Sequence, residues 1–260
     1  MKWNIRYRET WLHQTNPSLK LIVLLFLFLA VLFIHNPNVL INFSLALLLL
    51  FMFSTGYPWK FLLLLFLPFL LIFVSTASSM MMFGEGETTW FRWGLIHVTK
   101  ESFLRGLHIG FRALSFALLG LLFSLTTRPV RLFYSLMQQL KLKPKYAYSF
   151  LAAVRLLPIM LEEFQTVHNA LKVRGTASHG WLEKMKRYAI PLLSQSIRRA
   201  QRIAVAMEAK RFSSSTERTF YYEIGFNKHD IALVALFAFV AAAAYYTGVH
   251  YPYIPVTDVR

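Results

Sequence analysis

KLKPKYAYSFLAAVRLLPIMLEEFQTVHNALKVRGTASHGWLEKMKRYAIPLLSQSIRRAQRIAVAMEAKRF, residues 141–212, is basic, only patchily apolar, and set between long hydrophobic runs. Two helix-like segments inside it end alike. One runs through Ala170, Leu171 and Lys172 into Val173-Arg174-Gly175, and the other through Ala206, Met207, Glu208 and Ala209 into Lys210-Arg211-Phe212. Leu161 to Val173 reads as a helix stopped at Gly175, because glycine most readily takes the left-handed conformation that closes a helix C-terminus. Ahead of it, Tyr146 to Leu161 is apolar, broken by Arg155 and kinked at Pro158. In the second helix, Trp181 to Arg211, residues Ile190, Leu193, Ile197, Ala200, Ala204 and Met207 recur at spacings of three and four, with Gln195, Arg198, Arg199 and Arg202 on the other side. That stripe is expected to pack on the first helix or on a membrane domain. Each helix then carries a cationic tip. Pattern alone leaves two readings open: tips that dock on another molecule, or surface helices whose last-turn cations merely complement the helix dipole.

The flanking sequence decides what holds these helices. Hydrophobic residues make up 56% of 260 positions, Phe numbers 24, and the mean hydropathy is +0.46, outside the range of a soluble domain. The fold class expected is an all-α integral membrane protein with about five transmembrane helices. Span 1 is Leu19 to Ile34, span 2 Val39 to Phe53, span 3 Phe61 to Met82 with a kink at Pro68, span 4 Gly106 to Leu125, and span 5 Ile231 to Tyr246. The first two are shorter than the ~20 residues a crossing usually needs. Their all-round Leu and Phe content nonetheless leaves no polar face for water.

Polar punctuation separates the spans. Asn16-Pro17-Ser18 marks the start of span 1, His35-Asn36-Pro37-Asn38 is a tight turn, and Phe83 to Leu104 is a polar connector whose glycines and interfacial Trp90, Phe91 and Trp93 suit an outer surface. Met1 to Ser18 has no apolar core followed by a small-residue cleavage site, so it is not read as a removed signal peptide. The chain therefore divides into an N-terminal membrane domain, 1–125, a basic module of long amphipathic helices, 126–228, and a last span with a short outer tail, 229–260. Lys20 is expected to snorkel to the headgroups. Arg112 sits inside span 4 and is a candidate intramembrane functional residue, since a charge there is costly; the plainer reading is a side chain that snorkels from near the end of the span.

Charge sets the orientation. The formal charge is +16, and residues 128–228 hold 18 of the 28 Lys and Arg with six Glu and no Asp. With that segment on the cytoplasmic side, 23 of the cations face the cytoplasm and four (Arg92, Lys100, Arg105 and Arg260) face out, which places the N-terminus inside. There is no cysteine, so disulfide and thiolate metal chemistry is excluded. The eight histidines include no pair at i,i+3 or i,i+4, which leaves metal catalysis without a ligand set.

Several short pieces, in order, carry a family resemblance. They are Leu12-His13-Gln14-Thr15-Asn16-Pro17-Ser18-Leu19-Lys20, Thr126-Thr127-Arg128-Pro129, Arg155-Leu156-Leu157-Pro158, Val173-Arg174-Gly175, Pro191-Leu192-Leu193 with Ser196-Ile197-Arg198-Arg199-Ala200, and Ala206-Met207-Glu208-Ala209-Lys210-Arg211-Phe212. In order and spacing the chain resembles the transmembrane T component of energy-coupling factor transporters, the EcfT/CbiQ family. The resemblance implies two coupling helices, each ending in an X-Arg-Gly signature seated in a groove of one of two cytoplasmic ABC ATPase subunits. Val173, Arg174 and Gly175 match the first signature. At the second, Ala209, Lys210 and Arg211 stand where the family has Ala-Arg-Gly, so Lys210 as a point charge or Arg211 as its replacement makes the contact; lysine lacks the planar fork of arginine.

The resemblance further implies a non-catalytic subunit without cofactors of its own, ATP and Mg being bound by the ATPases. Its partners are those two subunits, a substrate-binding S component and the lipid bilayer of a bacterial cell membrane. The cargo is a vitamin or metal, with a leaning toward a thiamine precursor. The absence of a G-x-x-x-x-G-K-[ST] loop agrees with this. Two other classes were weighed. A membrane-embedded enzyme would rest on Glu162-Glu163, but neighbours in a helix do not face each other. A membrane-tethered nucleic-acid binder would need a recognised motif or aromatic platform, and neither is present.

Overall fold

Two Asn-Pro pairs start the helix bundle. The computed structural model describes residues 8–84, 89–93, 96–175, 180–210, 212 and 219–254. Arg211 and Arg260, named above, lie outside them, as do the side chains of Trp90, Phe91, Arg92 and Trp93. The elements in chain order are α1 (Trp11–Gln14), α2 (Pro17–Phe33), α3 (Pro37–Ser54), α4 (Trp59–Phe83), β1 (Thr89–Trp93), β2 (Ile96–Thr99), α5 (Lys100–Thr126), α6 (Pro129–Gln139), α7 (Pro144–Val173), α8 (Trp181–Ala209) and α9 (Lys228–His250). They fall into two compact units, Met1–Ser135 with Ile224–Arg260, and Leu136–Glu223.

The first unit is the membrane bundle. α2 and α3 share one capping scheme: Asn16 and Asn36 precede a proline at the first helical position, and each Asn Oδ1 accepts from the N–H two residues on, Ser18 at 3.1 Å and Asn38 at 3.0 Å. A proline has no N–H to orphan there, and the Asn side chain satisfies one of the donors that follow. α3, α4, α5 and α9 are long and apolar enough to cross a membrane. α2 is apolar but has 17 residues, about 25 Å at 1.5 Å per residue, short of a ~30 Å hydrocarbon layer. The protein is thus a multi-pass, all-α membrane protein, with a small hairpin added. Strands β1 and β2 pair antiparallel, Trp93 opposite Ile96 and Thr89 opposite Thr99, so the polar connector includes a hairpin and α5 starts at Lys100, six residues before the expected span.

The core lies where α3 meets α5 and α9. Leu40, Leu47 and Phe51 of α3, Leu118 of α5 and Leu233 of α9 are fully buried. By contrast only Leu62 and Ala77 of the 25-residue α4 are buried, which leaves a largely lipid-facing helix held on one side to α5. Glycines permit that contact. A Cβ on Gly106 would fall 2.7 Å from the Ala77 carbonyl oxygen, and one on Gly110 2.9 Å from the Phe73 ring, so the Gly106-x-x-x-Gly110 spacing lets the two helices approach as small residues do in membranes.

The expectation that Lys20 reaches the headgroups is corrected. Lys20 is 2% exposed, and its ammonium donates to the carbonyls of Leu12 at 2.5 Å and Thr126 at 3.2 Å and to the Thr126 hydroxyl at 3.2 Å. The carbonyls at the ends of α1 and α5 have no helical donor of their own, and the ammonium, with three donors, supplies one from inside the bundle.

Candidate functional site

The second unit is built from α7 and α8, which pack antiparallel. The pairings show it: Phe164 stacks on Tyr188 with ring centroids 5.2 Å apart, His168 Nδ1 is hydrogen-bonded to the Tyr188 hydroxyl at 2.8 Å, the Ser196 hydroxyl lies 3.7 Å from Met160 Sδ, and Arg199 forms an ion pair with Glu163. As the number rises along α7 it falls along α8. Near the start of α7, Tyr148 meets Phe212, just beyond the end of α8, edge to face at 5.3 Å.

This arrangement corrects the expected packing stripe. Tyr188, Leu192, Ser196, Arg199 and Ile203 are among the partly covered positions of α8, whereas of the expected stripe Ile190, Leu193, Ile197, Ala200 and Ala204 are exposed and only Met207 is partly covered. The face on α7 is the mixed one. It includes Arg199, which the apolar periodicity assigned to the opposite side. The physical reason is the Glu163 carboxylate: once it lies in the interface, a guanidinium on the facing helix is more stabilising than another aliphatic side chain, since a half-buried charge left unpaired is costly. The same pair removes Glu163 from any carboxylate pair with Glu162.

Each helix end is locally closed. Helix α7 ends at Val173; Arg174 takes the right-handed helical conformation as C-cap, its N–H donating to Ala170 O, and Gly175 has φ +62° with its N–H donating to Lys172 O at 3.2 Å. A left-handed residue at this place suits glycine, the cost for another L residue being about 1–2 kcal/mol. The space beside Gly175 is open, so its backbone conformation, not crowding, calls for glycine. At the end of α8, Lys210 N–H donates to Ala206 O and Phe212 N–H to Met207 O at 2.9 Å. That six-to-one bond is the closing bond of a Schellman turn. Arg211, between them, lies outside the described residues.

Val173 is 88% exposed, and Arg174, Gly175, Ala209 and Lys210 are exposed too. Among the described residues neither Arg174 nor Lys210 has a side-chain hydrogen bond or ion pair. Because the helices are antiparallel, the two tips are not brought together. From Tyr148, beside the end of α8, to Arg174 is 26 residues of mostly helical chain, on the order of 40 Å at 1.5 Å per residue. The sequence named the tips but not their separation, which depends on pairs 20 to 36 residues apart.

Arg112 stands in the membrane unit, near the middle of α5 rather than near its start. Its guanidinium donates to the carbonyl of Ile34, the C-cap of α2, at 3.0 Å and lies 2.7 Å from His108 Nε2. The short α2 ends beside Arg112 while α5 continues for twelve more residues toward its own N-terminus. A carbonyl ending a helix at that depth needs an internal donor, and Arg112 is placed to be one.

Comparison with known proteins adds a family. Residues 8–222 match the family model CbiQ, described as a cobalt transport protein. The chain is 27% identical over 243 residues to the energy-coupling factor transporter transmembrane protein EcfT of Limosilactobacillus fermentum, covering 88% of this chain and 90% of that one. It is 28% identical over 247 residues to the protein of the same name from Bacillus subtilis, with 90% and 92% covered.

Proposed function

The chain belongs to the CbiQ family, that of the EcfT-type transmembrane T components, and on that premise we propose that it transmits ATP-driven motion of two cytoplasmic ATPases to a separate substrate-binding membrane subunit. One observation carries the reading. Two exposed cationic helix ends stand at opposite ends of one antiparallel pair, on the order of 40 Å apart, too far for a single groove and suited to one tip per ATPase. In this reading Val173-Arg174-Gly175 and Ala209-Lys210 with Arg211 are the docking tips, and the chain itself hydrolyses nothing. Its 18 cations between residues 128 and 228 favour a cytoplasmic position for the helix pair, and with it the N-terminus. The vitamin or metal cargo is read by the other membrane subunit.

Force passes through such a joint without slipping when a charge-assisted hydrogen bond is backed by a rigid helix. Such bonds are worth roughly 1.5 to 3 kcal/mol. Arg174→Ala is therefore expected to weaken ATPase association about ten- to hundred-fold, or to leave hydrolysis running without uptake, with membrane insertion intact. Lys210→Ala combined with Arg211→Ala acts in the same way at the other tip. Uptake at the unsubstituted rate by Arg174→Ala would rule the docking role out.

A further inference from the structure

The chain passes between its two units twice. It leaves the membrane unit after Ser135, within α6, and returns at Ile224, just before α9. On the membrane side Asn16 touches the chain at both crossings, with Ser18 beside it at the outgoing one. Asn16 Oδ1 accepts from the Ser135 hydroxyl at 2.6 Å and from the Ser18 N–H at 3.1 Å, and the Ser18 and Ser135 hydroxyls are 2.5 Å apart. Toward the returning segment, the Asn16 N–H donates to Asp230 Oδ1 at 2.6 Å and its side-chain amide nitrogen lies 3.4 Å from Gly225 O. Asp230 also accepts from the Asn227 N–H at 2.7 Å, closing the first turn of α9. Asn16 and Asp230 are 3% exposed, Ser18 1% and Ser135 fully buried.

A buried polar network of this kind is stiff, because opening any bond leaves a donor or acceptor without water to replace it. The cluster is tied to the rest of the bundle through Lys20, one turn along α2, which grips the last residue of α5. The outgoing crossing, the returning crossing and the starts of α2 and α9 therefore move together or not at all. A mechanical demand accounts for so many polar groups buried at this point.

We propose that Asn16 is the positioning residue of the coupling path, holding the outgoing and returning segments against the N-terminus of α2 so that displacement of the helix pair reaches the membrane helices undiminished. The proposal rests on the coupling function above. The chain is free of cysteine, so Leu64→Cys on α4 and Phe239→Cys on α9, both exposed positions, take spin labels selectively. The distance between them is measured in the complex with its ATPases, without nucleotide and with ATP. Asn16→Ala is expected to keep the ATPases bound and hydrolysing while losing the ATP-dependent distance shift. Asn16→Asp, which keeps the oxygen that Ser18 and Ser135 address but loses the donor to Gly225 O, is expected to restore it only in part.

An Asn16→Ala complex showing the full shift overturns the proposal. Where that variant fails to fold, Ser18→Cys with Ser135→Cys, oxidised in the complex, replaces it, and ATP-dependent hydrogen exchange along α4 and α9 reads the motion. The oxidised joint is expected to transmit as the reduced one does; motion lost on oxidation and regained with a reductant means that the contact opens during the cycle, which contradicts a fixed joint. If the unsubstituted chain retains no ATPase, the coupling function fails first, and that outcome is separate from either variant's behaviour.

Discussion

Two cations, Lys20 buried and Arg112 half-buried, do the same job at opposite ends of α2. Lys20 near its start caps the C-terminus of α5, and Arg112 of α5 caps the C-terminus of α2. A cation at the negative end of a helix is favourable, and more so where water is excluded. Lys20→Met keeps the apolar stem and removes the donor, leaving the Leu12 and Thr126 carbonyls short of a partner. Each buried acceptor so stranded costs about 1–3 kcal/mol, so the melting temperature in detergent falls by several degrees, while Lys60→Met, an exposed control, leaves it unchanged. His13 gives a pH signature. Burial pushes its imidazole below the ordinary 6.5, with the neighbouring Lys20 charge working in the same direction, and its Nδ1 accepts from the Thr10 N–H at 3.2 Å. The unfolded chain therefore binds this proton more readily, so the associated stability is fully present above about pH 6.5 and is lost as pH falls toward the lowered value. Thermal unfolding in detergent is expected to be flat above pH 7 and to decline below it, and His13→Gln flattens part of that decline.

At the scale of elements, hydropathy located the crossings because an all-round apolar helix has no other place to be, and Asn16-Pro17 marked one start through local chemistry, whereas Asn36-Pro37, read as a turn, caps and begins α3. Periodicity showed that α8 has an apolar stripe, but not what covers it. Ile190, Leu193 and Ile197 stay exposed, and the face on α7 is chosen by Glu163 and Arg199, 36 positions apart, a pairing that no local pattern contains. Glycines 106 and 110 are a local signal for the α4–α5 contact, since small residues four apart let two membrane helices approach. The ion pair yields a directional prediction. Glu163→Arg or Arg199→Glu alone sets like charges into the interface and destabilises the α7–α8 pair by about 1–3 kcal/mol, whereas the double exchange recovers most of the loss. Protease protection of that unit measures it, and a double exchange no better than the single variants would show that the pair does not order the interface.

For the whole molecule, what matters is where the tips lie. Arg174-Gly175 was legible because a glycine helix stop beside a cation is a local feature, and the left-handed Gly175 agrees with it. The distance to Lys210 was not legible: the short link of residues 174–180 requires two packed helices to run antiparallel, but that they pack along their length follows from pairs 20 to 36 residues apart. That distance is the physical content of the coupling account: one chain, two far-apart contacts, two motor subunits. It is tested most directly by native mass spectrometry of the tagged protein drawn from its own membranes in mild detergent. The account predicts a particle holding two ATPase subunits and a small hydrophobic membrane protein, with Arg174→Ala shedding one ATPase and Lys210→Ala combined with Arg211→Ala the other. A well-folded sample that carries no ATPase, or one whose ATPases stay bound when both tips are removed, would contradict it.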